Sequence, residues 1–270
     1  MQPKAIIEHL DAGLPWPDGS GGSIHSIGDA YATALAVASI RQARGELQTG
    51  YKISFTNTTI WPTYNVHAPV WGAIWDSTLR LCDGNGEGRV SLKTLCQPRI
   101  EPEIVFGFKH TPTAGANANG IFDALEWVAV GFEIVQSHMK DWKFQAPQAV
   151  ADGSLHGQLL VGNKISMNEL AATAGALDAL LAQSTCQLFR GDALVEQGRG
   201  SDVLGSPLRA LVYFLNELRQ CPGARDIQPG DVVTTGTWTD AWPVQAGETW
   251  STRFGIAALP PPFILNKALR

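Results

Sequence analysis

The sequence predicts an α+β fold with a mixed β core and a small helical section at its N-terminus. Three observations predict it. Helical periodicity dominates the first fifty residues. From Gly50 onward the apolar period shortens to two. The later helical stretches are interspersed among strands without the strict alternation of a parallel βαβ array. The expected division is a helical section over residues 1–50 and a β-rich catalytic domain over residues 51–270.

Residues 4–13 read as a short helix, with Ile6, Ile7 and Leu10 on one side. Residues 15–27 are loop by composition. Residues 28–45 read as a longer helix, capped by Asp29, with an apolar stripe of Tyr31, Leu35, Ala38 and Ile40. Arg41 and Arg44 suit its C-terminal end. Residues 51–55, 99–108 and 127–137 read as strands, and 159–162 and 186–190 as shorter ones. Gly191-Asp192 can turn 186–190 into 193–197 as a hairpin. Residues 167–182 and 207–218 read as helices, the second with Pro207 in its first turn. Residues 231–236 and 242–254 close the chain as strands.

Composition excludes several classes. Of 270 residues, 44% are hydrophobic and 17% charged, which supports a sizeable core and excludes general disorder. The net charge of −5 argues against broad nucleic-acid binding. No apolar run reaches the roughly 20 residues of a membrane helix. Residues 1–14, with Lys4, Glu8 and Asp11, lack the apolar stretch of a signal peptide, so a cytoplasmic location is expected. The four cysteines form no C-x-x-C pair and read as reduced core residues. The 28 glycines and 16 prolines are spread along the chain, indicating many turns. There is no internal repeat.

The most informative spacing is Glu101-Pro102-Glu103. On a strand, residues i and i+2 share a face, so Arg99, Glu101 and Glu103 project together. On a solvated edge the two carboxylates repel only weakly; in a cleft they demand a cation. Glu133 sits inside the apolar run Val130–Val135. It reads either as a structural acid paired with an arginine or as a third ligand beside Glu101 and Glu103. Three carboxylates suit a hard cation such as Mg²⁺ or Mn²⁺.

The histidines show no zinc spacing. His138 reads as a hydrogen-bonded or exposed residue. His156, in the turn-like 152–157, is the more interesting one. Lys52 is either a strand residue facing water or a buried charge stabiliser and proton donor. No G-x-S-x-G elbow or phosphate-binding loop occurs, and Gly84-Asn85-Gly86-Glu87-Gly88 lacks the strand–turn–helix context of a dinucleotide site. Several tryptophans, including Trp61, Trp71, Trp75, Trp142, Trp238 and Trp242, fall in turn-rich stretches that can line an apolar pocket.

At these residues the sequence resembles the 2-keto-4-pentenoate hydratase / 4-oxalocrotonate decarboxylase group of the fumarylacetoacetate hydrolase superfamily. The resemblance spans about residues 28–256. Gly50-Tyr51-Lys52-Ile53 resembles the GYKIG strand, Glu101-Pro102-Glu103-Ile104 the E-x-E-I segment, and Phe132–Ser137 the LEIVDS segment. Ala151-Asp152-Gly153-Ser154 stands where ADNAS is common. Val203–Pro207 is similar to VLGNP, Gly230-Asp231-Val232-Val233 to GDIVLSG, and Pro243–Thr249 to PVxPGD.

The resemblance implies the β-sheet roll of the superfamily's C-terminal domain. It implies Mg²⁺ or Mn²⁺ on Glu101, Glu103 and Glu133, with Lys52 facing the active site. Lys52, Asp152 and His156 become the catalytic candidates, and Trp71, Lys143, Ser154 and Thr237 the substrate-binding ones. It further implies a homo-oligomer, with association with a paralogous pathway enzyme conceivable.

Three departures stand out. Pro69-Val70-Trp71-Gly72 replaces P-D-[FY]-G and loses a carboxylate; the decarboxylase branch is the more tolerant of an apolar residue there. Gln136 replaces the Asp after the third ligand. His156 replaces a small residue and is a candidate for the lost acid/base role. The expected activity is a metal-dependent lyase of the aromatic meta-cleavage type, hydrating a 2-hydroxydienoic acid. The alternatives are decarboxylation of a 4-oxalocrotonate-like diacid, C–C hydrolysis of a β-diketo acid, and a non-catalytic paralogue.

Overall fold

A computed structural model describes residues 1–82, 84, 86–259 and 263–265. Asn85, in the glycine-rich segment noted above, lies outside the described residues. The chain opens with helices α1 (Pro3–Ala12) and α2 (Ile27–Ala43), then β1 (Gln48–Ser54), α3 (Trp61–Tyr64), β2 (Val70–Trp75), β3 (Leu79–Leu81) and β4 (Glu87–Gly88). The centre holds β5 (Arg99–Phe108), α4 (Ala118–Ala124), β6 (Leu125–Val135), α5 (Ala146–Ala151), β7 (His156–Val161) and β8 (Ile165–Ser166). There follow α6 (Met167–Leu170), α7 (Ala174–Gln183), β9 (Thr185–Arg190), β10 (Ala193–Arg199), α8 (Pro207–Gln220), β11 (Val232–Thr237), β12 (Trp242–Pro243), β13 (Trp250–Phe254) and β14 (Phe263–Leu265).

Among the described residues the strands form two sheets. The larger runs β2-β1-β11-β5-β6-β7-β3, with β12 added to β5 and β8 to β6. The smaller runs β10-β9-β13-β14-β4. The large sheet is mixed, because β1 pairs parallel with β11 while β5 pairs antiparallel with both β11 and β6. The α+β prediction holds.

Helix α8 shows how sequence becomes packing. Ser206 caps it by accepting from the Arg209 amide at 3.2 Å, and Pro207 fills the first turn, where its missing N–H costs nothing. Leu208, Leu211, Phe214, Leu215 and Leu218 recur at helical spacing and are all buried. Phe214 meets the Tyr51 ring at 5.3 Å between centroids, so the helix braces the strand that carries Lys52.

Several details differ from expectation. Ser26, not Asp29, caps α2; its hydroxyl accepts from the Asp29 amide at 3.0 Å. The expected helix over 167–182 is two helices, because Ala171 is extended and Thr173 starts a new cap. Residues 242–254 form two short strands separated by a turn. Strand β2 was missed: Val70–Trp75 is buried on both faces except at Ala73, so it shows no alternation. The 193–197 hairpin arm and its turn fall where expected. Cys96 and Cys186 are buried thiols. Among the described residues no helix is long and apolar enough to cross a membrane.

Candidate metal centre

Sheet register assembles the site. Glu101 and Glu103 alternate with Pro102 along β5, so both leave the same face. Glu133 lies directly opposite Glu101 on β6. Ligand oxygens of Glu101, Glu103 and Glu133 all fall within 4.8 Å of one another. Lys52, on β1, pairs with Thr234 of β11, the strand between β1 and β5. Its Nζ stands 3.2 Å from Glu133 Oε2 and donates to Ser54 Oγ at 2.7 Å and to the Ser154 carbonyl at 2.9 Å.

Each carboxylate is held differently. Glu103, fully buried, accepts on Oε2 from the Thr234 hydroxyl and from the Gly236 amide at 2.7 Å. Its Oε1 has no partner among the described residues. Glu133 accepts on Oε1 from His156 Nδ1 at 2.8 Å, while its Oε2 has only the Lys52 ion pair. Glu101 is half-buried and lines a cavity of about 340 Å³ together with Lys52.

Gly236 is required here. It has φ of +98°, and an added Cβ would meet the Thr56 hydroxyl oxygen at 2.1 Å. The glycine turns the end of β11 so that its amide faces Glu103.

The electrostatics call for a cation. Two carboxylates within 4.8 Å of each other repel by at least roughly 3 kcal/mol at an effective dielectric of 20. Lys52, helped by Arg99 at Glu101 and His156 at Glu133, opposes three such pairs. Burial raises the Glu101 carboxyl to about 7, against the pull of Lys52. Burial, then Glu133 and Glu101, push Glu103 well above its ordinary range. Glu133 goes the other way: burial works against ionisation, but Lys52 and His156 outweigh it and hold the carboxyl low. Burial lowers His156, and its Glu133 bond offsets this only in part. The unpartnered Glu103 oxygen and the excess of acids over bases fit a divalent cation bound by all three carboxylates.

Asp152, Ser154 and His156 enter through one turn. Gly153–Leu155 forms a single 3-10 turn in which Ser154 and Leu155 take positive φ. Asp152 holds its base, accepting from His138 Nδ1 at 2.6 Å and from the His138 amide at 3.0 Å, both side chains fully buried. Gly72 admits the turn against β2; a Cβ there would sit 2.2 Å from the Gly153 carbonyl oxygen.

The expected site residues separate into groups. Glu101, Glu103, Glu133 and Lys52 come together. Thr237 lines the cavity, as do Arg99, Trp142, Phe144 and Leu155. His156 does not: its Nε2 bonds Thr78 Oγ1 at 2.9 Å and its Nδ1 holds Glu133, so neither nitrogen is free for the acid/base role expected of it. Asp152 supports the turn, and Ser154 offers its carbonyl to Lys52 while its hydroxyl donates to the Trp71 carbonyl at 2.6 Å. Trp71 is buried between Tyr31 and Tyr51 and borders a separate, small cavity of about 60 Å³. Lys143 borders a different cleft with Trp16 and Asp18. Neither Trp71 nor Lys143 lines the carboxylate cavity. Sequence reasoning missed Thr234 and the Gly236 amide as Glu103 donors. No alternation marks them, because Val232–Gly236 is buried throughout.

No family model matches the chain. It is 33% identical over 228 residues to a 2-hydroxyhexa-2,4-dienoate hydratase of Comamonas testosteroni, covering 83% of this chain and 80% of that one. It is 27% identical to a 4-oxalocrotonate decarboxylase of Pseudomonas sp. (strain CF600), covering 87% and 85%. The fold matches that of a 4-oxalocrotonate decarboxylase from Pseudomonas putida G7, solved with magnesium and adipate. The TM-score is 0.85 at 22% identity, over 98% of this chain and 95% of that one.

Proposed function

Because this chain belongs to the family of 2-hydroxydienoate hydratases and 4-oxalocrotonate decarboxylases, we propose that it is a divalent-metal-dependent lyase that hydrates a 2-hydroxydienoic acid. The observation that carries the reading is the cross-strand set of Glu101, Glu103 and Glu133, backed by Lys52, with Glu101 and Lys52 lining a cavity of about 340 Å³.

Glu101, Glu103 and Glu133 would hold Mg²⁺ or Mn²⁺, which when bound supplies a Lewis acid for the charge that develops on the 2-oxo oxygen. The chain's own residues do the rest. Thr234 and the Gly236 amide fix one Glu103 oxygen and leave the other directed into the site. Glu133 is fixed between His156 and Lys52. Lys52 keeps its charge despite burial, because the pull of three carboxylates exceeds the desolvation cost, and so places a cation beside developing negative charge. Trp142, Phe144 and Leu155 form apolar walls that limit access of water to the substrate's tail.

Decarboxylation of a 4-oxalocrotonate-like diacid is the second reading, favoured by Arg99. Its guanidinium stacks 4.2 Å above the Trp142 ring and lines the cavity, with no hydrogen bond or ion pair among the described residues. A distal carboxylate would suit it. C–C hydrolysis is less well supported, because the His156–Glu133 pair, its candidate for activating water, lies outside the cavity lining. A homo-oligomer, a cytoplasmic location and association with a paralogous enzyme belong to the same proposal.

The test uses freshly generated 2-hydroxypenta-2,4-dienoate and 2-oxohex-3-enedioate with Mg²⁺ or Mn²⁺, following ultraviolet absorbance and released CO₂. Metal-dependent loss of the dienoate without CO₂ supports hydration. CO₂ from the diacid moves the assignment to decarboxylation. Inertness toward both rejects the two readings.

A further inference from the structure

Strand β1 ends on Ser54, whose side chain lines the cavity beside Lys52. Its Oγ accepts from Lys52 Nζ at 2.7 Å and donates to the Ser154 carbonyl at 3.2 Å. The other partners of Lys52 are that same carbonyl and Glu133. A carbonyl only accepts, and Glu133 belongs to the carboxylate cluster. Ser54 is the partner of Lys52 that both accepts and donates and that also reaches the cavity.

The β1–β2 register adds an independent observation. Ser54 stands directly opposite Val70. Cross-strand partners leave a sheet on the same face with Cβ atoms about 5 Å apart. Val70 is apolar and buried. The polar group on this part of the wall is therefore supplied by β1, at a site where a carboxylate on β2 would reach nearly the same space.

Building on the hydratase reading, we infer that Ser54 is a catalytic residue whose hydroxyl delivers a proton to the far end of the substrate. In the opening isomerisation the 2-hydroxyl of the dienoate loses its proton and a C–H bond forms at C5. The double bonds at C2–C3 and C4–C5 become C2=O and C3=C4. Ser54 Oγ supplies the C5 proton. Its own loss is made good along the Lys52 hydrogen bond, and the proton from the 2-hydroxyl returns to Lys52. The exchange is neutral overall and needs no electron acceptor.

The test compares wild type with Ser54→Ala, Ser54→Thr, Ser54→Gly and Ser54→Gly/Val70→Asp on 2-hydroxypenta-2,4-dienoate with saturating Mg²⁺. Turnover and deuterium uptake at C5 in D₂O are the activity readouts. Mn²⁺ affinity and the thermal midpoint report on folding and the metal site. Ser54→Ala and Ser54→Gly should lower kcat by about 10²-fold, the usual worth of a positioned proton donor, with KM and Mn²⁺ affinity little changed. Ser54→Thr should keep most of the activity, and the double variant should recover about tenfold over Ser54→Gly.

A Ser54→Ala enzyme within threefold of wild type overturns the inference. So does failure of both Ser54→Thr and the double variant to exceed Ser54→Ala. A wild type that leaves the dienoate untouched overturns the hydratase reading and takes the inference with it; an active wild type with an indifferent Ser54→Ala overturns the inference alone.

Discussion

Glu101 and Glu133 face each other across the β5–β6 ladder, one half-buried at the cavity and the other fully buried between His156 and Lys52. Like charges directly opposite on neighbouring strands are destabilising. The sheet tolerates this pair because Lys52 lies beside it and because burial keeps Glu101 and Glu103 from ionising freely.

The metal-free protein should therefore gain stability as pH falls. A carboxyl raised on folding binds its proton more tightly in the folded state than in the unfolded one. That contribution is complete below the unfolded value and is lost as pH rises through the folded value, about 7 for Glu101. With EDTA, the thermal midpoint should be higher at pH 5.5 than at pH 7.5. Saturating Mg²⁺ should remove much of the difference and release protons, which calorimetry in two buffers of different ionisation enthalpy would detect. An EDTA midpoint that rises with pH across this window would contradict the proposed role of the acids.

Replacing Lys52 with Met should lower kcat by at least about 10³-fold and destabilise the fold by roughly 3–5 kcal/mol, because Glu133 would lose its buried counter-charge. Denaturant unfolding and steady-state kinetics report the two effects separately. Full stability in Lys52→Met would mean that Glu133 is neutral in the folded protein.

His156 acts on the site through Glu133, so His156→Phe should weaken Mn²⁺ binding by about 10–100-fold, the usual cost of losing an outer hydrogen bond to a ligand. His156→Asn, which keeps a donor, should lose less. Titration calorimetry distinguishes this from a direct acid/base role, which would lower kcat while leaving metal affinity intact.

Gly72→Ala should displace the 153–155 turn, since the new methyl would press on the Gly153 carbonyl oxygen. The Ser154 carbonyl would then lose its position against Lys52. We expect destabilisation of about 1–3 kcal/mol, typical of forced overpacking, together with a fall in kcat. Unchanged kcat in a folded Gly72→Ala protein would show that the turn does not position Lys52.

The carboxylate cluster is legible because its signal is local. Two carboxylates at i and i+2 on an alternating strand share a face whatever the rest of the chain does, and a lone acid in Val130–Val135 has few ordinary explanations. Lys52 was legible only as a choice between water and burial; its parallel pairing beside Thr234 decided that, and parallel pairing leaves no local mark. That Trp71 falls outside the lining of the carboxylate cavity has a related reason. Trp71 lies on β2, whose two covered faces erase the alternation that would have shown which way its ring points. His138 reads from the sequence as hydrogen-bonded or exposed, and its buried bond to Asp152 is a long-range contact that loop composition does not mark.

The parallel pairing of β1 with β11 has a kinetic consequence. Lys52 and Thr234 are about 180 residues apart in the chain, yet they are strand neighbours. A chain emerging from the ribosome can pair β5 with β6 early, bringing Glu101 opposite Glu133. The hydroxyl and amide that fix Glu103 arrive only with β11, whose Thr234 lies 131 residues further along the chain. Such long-range contacts form slowly, because closing a long loop precedes the contacts that reward it. A nascent chain would therefore carry the acids before it carries the strand that organises them. The competent centre would be among the last features to mature, and refolding followed by regain of Mn²⁺ affinity should lag behind the recovery of β-sheet circular dichroism.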